Sequence, residues 1–307
     1  MKPIDIVYVL GTGSGWSDNE IRFSLRSVFK NLTNIGQIFI VGEKPSGLKG
    51  FIHIDHLDEF PSTNADGNII RKVHRACQDP RLSEKFLFIN DDHIIMKPIR
   101  TDRIPPFHKG DMKSFQLDYF SLNEWRKRLY KTMIALQEQN LPTKHFDCHT
   151  PIIFEKGKFF DAMSRFDYAS GIGLTMKSLY GNIFYPDAPC LAEQKKTVFK
   201  SYTLDELNLR FEKPMLLSFN DQGLNDSLKI FLYQNFSLPS PLETCLMEDR
   251  IIEIYHASRE SFSYELARDT YLKYFKNHNM KAVFISDRAN RFENKLKYLL
   301  EQKITAL

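Results

Sequence analysis

Residues 85–89, Lys85-Phe-Leu-Phe-Ile89, form an apolar run that ends abruptly in Asn90-Asp91-Asp92-His93. A short apolar run of this kind predicts a buried strand. Two adjacent carboxylates at a strand end are costly unless a cation or a basic group compensates them. Ile94-Ile-Met96 resumes the apolar run, and Lys97-Pro98 stops it. Carboxylates, an amide oxygen and water suit Mg²⁺ or Mn²⁺, so Asp91 and Asp92 are candidate metal ligands. A solvated turn between two strands is the other reading of the same residues.

The stretches before it set the fold class. Ile4 to Leu10 reads as a first buried strand, followed by Gly11-Thr-Gly-Ser-Gly15. Glycines at alternate positions let a backbone approach a ligand closely. The turn is not GxGxxG and has no P-loop lysine, so Gly11 and Gly13 are candidates only for nucleotide or phosphate contact. Ile21, Leu25, Val28 and Phe29 then fall at helical spacing. Arg22 and Arg26 share a face of that helix, one turn apart. They are either solvated or in reach of a diphosphate, to which a guanidinium is well matched. Gln37 to Val41 and Phe51 to Ile54 read as two further strands. The strand–helix–strand order predicts an α/β fold with a mixed, mostly parallel sheet flanked by helices. Ligands in such sheets bind beyond the carboxyl ends of the strands, where the glycine turn and the acid pair both fall.

Residues 68–77 read as a helix bearing Arg71, Lys72, His74 and Arg75. Residues 100–145 change pattern and include a helix over 122–139, expected to be an insertion or lid. Asp147 and His149 precede another strand; a histidine two residues after an acid, in a loop closed by Pro151, is a candidate general base with Asp147 as its orienting partner. Lys177 falls in a helix over 174–180, and Asn220-Asp221 repeats the pattern of an apolar strand ending in Asn-Asp. The organisation expected is a catalytic domain over 1–250 and a C-terminal helical extension over 251–307.

With 307 residues, 42% hydrophobic and 26% charged, the chain belongs to the globular class. A formal charge of +4 can attract phosphorylated ligands but does not call for nucleic acid. Cys77, Cys148, Cys190 and Cys245 form no CxxC pair, which argues against a zinc or disulfide framework and fits a reducing cytoplasm. Asp5 sits where a signal peptide would need apolar residues, and no stretch reaches the apolar length of a membrane span.

Four separated stretches resemble the Stealth family, the sugar-phosphate transferases of capsule synthesis. Ile4 to Tyr8 resembles its first region. Asp18-Asn-Glu-Ile-Arg-Phe-Ser-Leu-Arg-Ser27 resembles the opening of its second region, which closes in a pattern matched by Leu82, Ser83, Glu84, Phe86 and Asn90-Asp91-Asp92. Between them, Asn64 and His74 fall where the family has an Asn and a His. His149-Thr-Pro151 is similar to the start of the third region, with Lys177-Ser178 in the place of an Arg-Ser pair. Asn220-Asp221 with residues 238–243 is similar to the fourth.

The resemblance implies a GT-A-like fold and a nucleotide-sugar donor. It implies a divalent metal, Mn²⁺ or Mg²⁺, on Asp91 and Asp92, and a catalytic role for His149. With it, Asp147, Lys177, Asn220 and Asp221 are carried as catalytic candidates. Tyr8, Gly11, Gly13, Arg22, Arg26, Asn64 and His74 are carried on the donor side. The acceptor would be a hydroxyl of a glycan. Two other functions stay open: a plain glycosyltransferase acting on a glycan or a modified DNA base, and a non-catalytic nucleotide-sugar-binding protein.

Overall fold

The computed structural model describes residues 2–114, 119–191, 194–211 and 213–244; the expected helical extension over 251–307 lies outside them. In chain order the elements are β1 (Ile4–Leu10), α1 (Asn19–Asn31), β2 (Leu32–Thr33), β3 (Ile35–Gly42), β4 (Ile52–Ile54), α2 (Ala65–Cys77), β5 (Lys85–Phe88), β6 (His93–Ile95) and β7 (Ile99–Arg100). They continue with α3 (Glu124–Glu138), β8 (Ile152–Glu155), α4 (Lys156–Ser164), α5 (Met176–Phe184), β9 (Lys195–Val198), α6 (Leu204–Phe211), β10 (Leu216–Phe219) and α7 (Asp226–Asn235).

The main sheet has the order β4-β3-β1-β5-β8, parallel except for β8 at one edge. β1 is central, so both of its faces must be apolar. Val7 and the half-buried Val9 pack into the layer that holds α2, α4 and α5, while Ile6, Tyr8 and Leu10 pack on the α1 side. Asp5, the one acid in β1, is buried but satisfied: its carboxylate accepts from Gln37 N at 2.7 Å, Ser83 N at 2.8 Å and Ser83 Oγ at 2.6 Å. In α3, Leu129, Met133 and Leu136 join the same core as α2, α4 and α5, so the 100–145 segment shares the main hydrophobic layer.

After the acid pair the chain leaves this sheet and comes back to it only at β8. β6 pairs antiparallel with β10, which pairs parallel with β9, forming a second, three-stranded sheet. Asn90, Asp91 and Asp92 therefore span the crossing from one sheet to the other. The free edge of β6 is satisfied by side chains of α1. Ser24 Oγ donates to His93 O at 2.7 Å, Ser27 Oγ accepts from Ile95 N at 3.0 Å, and Asn31 Nδ2 donates to Ile95 O at 2.6 Å. Tyr8 is fully buried and its hydroxyl lies 2.9 Å from Ser24 Oγ. Its part is to brace this crossing; the expected donor contact is corrected, because the ring has no exposed surface.

Since α1 is sandwiched between the two sheets, its polar residues are buried as well. Arg26 Nε and Nη2 form a fork on Glu243 at 2.9 and 2.7 Å, and Arg22 Nη2 reaches the same carboxylate at 3.3 Å. Arg26 also lies over the Phe23 ring, 4.7 Å from its centroid. Arg22 and Arg26 are 4% and 2% exposed, so the expectation that they hold a diphosphate gives way to a buried ion pair. Removing one partner of such a pair strands charge in the interior. Glu243→Ala leaves two guanidiniums behind and is expected to destabilise the fold by about 3–5 kcal/mol in urea unfolding. A midpoint unchanged from the parent would show that the pair carries no net stability.

Asn64 is another buried clasp. Its Oδ1 caps α2 by accepting from Gly67 N at 2.9 Å, and its Nδ2 donates to Tyr168 O at 3.1 Å and Ala169 O at 3.3 Å. Gly173 packs so tightly on it that a Cβ there would fall 1.8 Å from Asn64 Oδ1, at a φ of +76°. A side chain with every polar atom engaged this way has none left for a donor, which corrects that expectation too.

Candidate active site

The glycine turn and the acid pair meet. Gly11, Gly13, Ser14, Glu20, Glu43 and Asp91 line a cavity of about 230 Å³ at the carboxyl end of β1. A Cβ at Gly11 or Gly13 would meet nothing within 4 Å, so both backbones are open to a ligand. Ser14 shapes the turn: its hydroxyl donates to Glu20 Oε2 at 2.8 Å and accepts from Asp18 N at 2.7 Å. Asp221 belongs to this side, since a Cβ on Gly15 would lie 3.7 Å from Asp221 Oδ1. Neighbouring Asn220 accepts from Gly223 N at 3.0 Å, closing the turn after β10. With Asp18 the cavity carries four carboxylates and no basic side chain.

Asp92 is not part of that lining. Its Oδ2 lies 3.1 Å from His149 Nδ1, although 57 residues separate the two. Its Oδ1 is buried without a hydrogen-bond partner, 3.6 Å from His93 Nε2, which is likewise buried and unpartnered. Asn90 Oδ1 is a third such atom. His93 Nδ1 receives only a long contact from Asn90 N at 3.4 Å. Ligand atoms of Asp92, His93 and His149 all lie within 4.8 Å of one another. Buried polar atoms without partners are uncommon, and three in four consecutive residues mark a place where something else binds.

The electrostatics separate the two acids. Burial, then the charges of Asp92 and Glu20, push Asp91 up to about 7. Burial alone would raise Asp92 as well, but the imidazoles of His93 and His149 outweigh it and hold its carboxyl at about 2. Burial pushes His93 well below the ordinary histidine range, against the pull of Asp92. Two like charges side by side are thus avoided by holding a proton on Asp91 near neutrality. The donor set fits a divalent ion: ionised carboxylate, neutral imidazole and an amide oxygen.

His149 sits at φ 53°, in the left-handed region that a histidine seldom occupies. The loop is held by Lys177, whose Nζ donates to Thr150 O at 3.1 Å. Asp147 is close in sequence but otherwise employed. It accepts from Lys177 N at 3.1 Å, Ser178 N at 2.8 Å and Ser178 Oγ at 2.5 Å, capping α5. The orienting partner expected of Asp147 is supplied by Asp92. His74 is nine residues along α2 from Ala65, roughly 13 Å at the helical rise. Its ring packs edge-on to Phe160 at 4.4 Å and does not line the glycine cavity, which corrects its donor role. His93 and the acids of the glycine turn went unassigned in the sequence. The signal for His93 was its place directly after the acid pair.

No family model and no curated relative matches the chain. Among solved structures it is similar to the apo form of WbbM, a bifunctional glycosyltransferase, with TM-score 0.42 and 12% identity over 78% of this chain and 50% of that one. It is similar also to the apo glycosyltransferase GlyE of Streptococcus pneumoniae TIGR4, with TM-score 0.32 and 13% identity over 86% and 64% of the two chains. The chain thus spans between half and 64% of the length of these proteins. Likeness at this level decides nothing about chemistry. Among the described residues no helix is long and apolar enough to cross a membrane.

Proposed function

We propose that the protein is a divalent-metal-dependent transferase of GT-A type, moving a sugar or sugar-phosphate from a nucleotide-sugar to an acceptor hydroxyl. One observation carries this reading. Asp91 lines the glycine-lined cavity, while its neighbour Asp92 is tied to His149, which lines a second cavity. A transferase needs this arrangement, in which a donor and an acceptor meet across the groups that act on both.

On the donor side, the open backbone at Gly11 and Gly13 admits the nucleotide. The carboxylates around it suit sugar hydroxyls, while a diphosphate there would meet no positive side chain. Mn²⁺ or Mg²⁺ on Asp92 and His93, whose ligand atoms converge, with Asp91 beside them, would neutralise that diphosphate and the leaving nucleotide. On the acceptor side, Asp92 holds His149 Nδ1 and leaves the second ring nitrogen for a hydroxyl. His149 would take the hydroxyl proton as the new bond forms, with Asp92 stabilising the imidazolium. Lys177 keeps the His149 loop in place through Thr150 O.

The reaction is tested with Mn²⁺ and a panel of nucleotide-sugars. Release of nucleoside diphosphate means attack at the anomeric carbon. Release of nucleoside monophosphate means attack at phosphorus and transfer of sugar-phosphate. Saturable donor binding without either product would favour a non-catalytic binding protein, and no donor binding at all would end the proposal.

A further inference from the structure

A cavity of about 530 Å³ opens beside His149 and shares no lining residue with the glycine cavity. Lys109 and Lys195 line it, together with the aromatic residues Trp125 and Phe199. Phe199 is 55% exposed, unusual for a residue of its size. The acid on this wall, Asp147, is already occupied by the amides and hydroxyl that cap α5. Lys195 donates to the Thr197 hydroxyl. Among the described residues neither Lys109 nor Lys195 forms an ion pair with a carboxylate. Burial lowers the Lys195 ammonium to about 8, with Cys148 and Asp92 pulling it back up and Lys177 and Lys109 pushing it further down. Ammonium groups that line one cavity without an ion-pair partner are a place for an anion.

We infer that this cavity binds the acceptor and that the acceptor is an anionic glycan, its carboxylate or phosphate held by Lys109 and Lys195 and a sugar ring stacked on Trp125 or Phe199. The inference rests on the transferase reading for the word acceptor, but anion binding can be measured without it. Aromatic faces suit the apolar face of a sugar ring, and lysine suits an anion approached as a point charge.

Three probes of one shape decide it: octyl β-D-glucoside, octyl β-D-glucuronide, and the octyl β-D-glucoside carrying a 6-phosphate. Calorimetry on the whole protein is expected to show at least one anionic probe binding about tenfold tighter than the neutral one, with the advantage shrinking at about 0.5 M salt. Whichever anion binds better distinguishes carboxylate from phosphate. In the Lys109→Gln/Lys195→Gln variant the anionic advantage should vanish while neutral-probe affinity stays. Equal binding of all three probes to the parent protein, or an advantage retained in the variant, overturns the inference. Nucleotide-sugar binding with Mn²⁺ is measured on the same sample. Its absence beside a clear anion preference would remove the transferase reading and leave the anion site standing.

Discussion

Asp92→Ala abolishes Mn²⁺-dependent donor binding and leaves the protein folded. Asp92 Oδ1 is buried with no partner, so its removal relieves an unsatisfied acceptor instead of breaking a contact. The lost contact is the 3.1 Å bond to His149, whose side chain is 47% exposed and can turn to water. The fold is therefore expected to lose about 1 kcal/mol or less, while Mn²⁺ loses its ionised carboxylate. Titration of Mn²⁺ by electron paramagnetic resonance, with and without nucleotide, checks this. Mn²⁺ and donor affinities equal to the parent's would remove the metal assignment. The parent protein adds a pH signature. Asp91 carries its proton up to about pH 7, and a protonated carboxyl does not ligate. Mn²⁺ affinity should therefore rise with pH up to about 7 and flatten above it. Asp91→Asn should remove that slope.

His149→Ala lowers turnover by roughly two to four orders of magnitude, the range usual for a lost general base. Donor affinity changes little, because the residue lies on the acceptor side. The backbone at His149 is left-handed, a conformation in which alanine is also strained, so His149→Asn is the better-tolerated companion variant. Both variants should fail in the same way if the imidazole is the base. The measurements are single-turnover rate, donor Kd and Mn²⁺ Kd. A fall in Mn²⁺ affinity equal to the fall in rate would make His149 a metal ligand, with no base role. A rate within a few-fold of the parent's would make the Asp92–His149 contact structural.

Much of the scaffold could be read from the chain. The strands over residues 4–10, 37–41, 85–89 and 216–219, and the helix after the glycine turn, follow from apolar runs and helical spacing. Each is present within a residue or two. The site was readable where chemistry is local: an open glycine turn at one strand end and two acids at another. It was misread where a polar residue had to be given a partner. Arg26 looked like a phosphate ligand and is a fork on Glu243, 217 residues away. Asn64 looked like a donor contact and is a helix cap. Asp147 looked like the partner of His149 and caps α5.

The order of strands and helices, the class of fold and the presence of charge at the carboxyl ends were determined by the sequence alone, because periodicity and burial act over a few residues. Which charge meets which was decided by the tertiary structure. The chain crosses to a second sheet at Asn90, and that crossing buries α1 on both sides. It also leaves Asp91 on the glycine-lined cavity and brings His149 onto Asp92. A charged side chain is the same letter whether it is solvated, paired or poised for a ligand. Only the long-range contacts that desolvate it and supply its counter-charge tell these states apart.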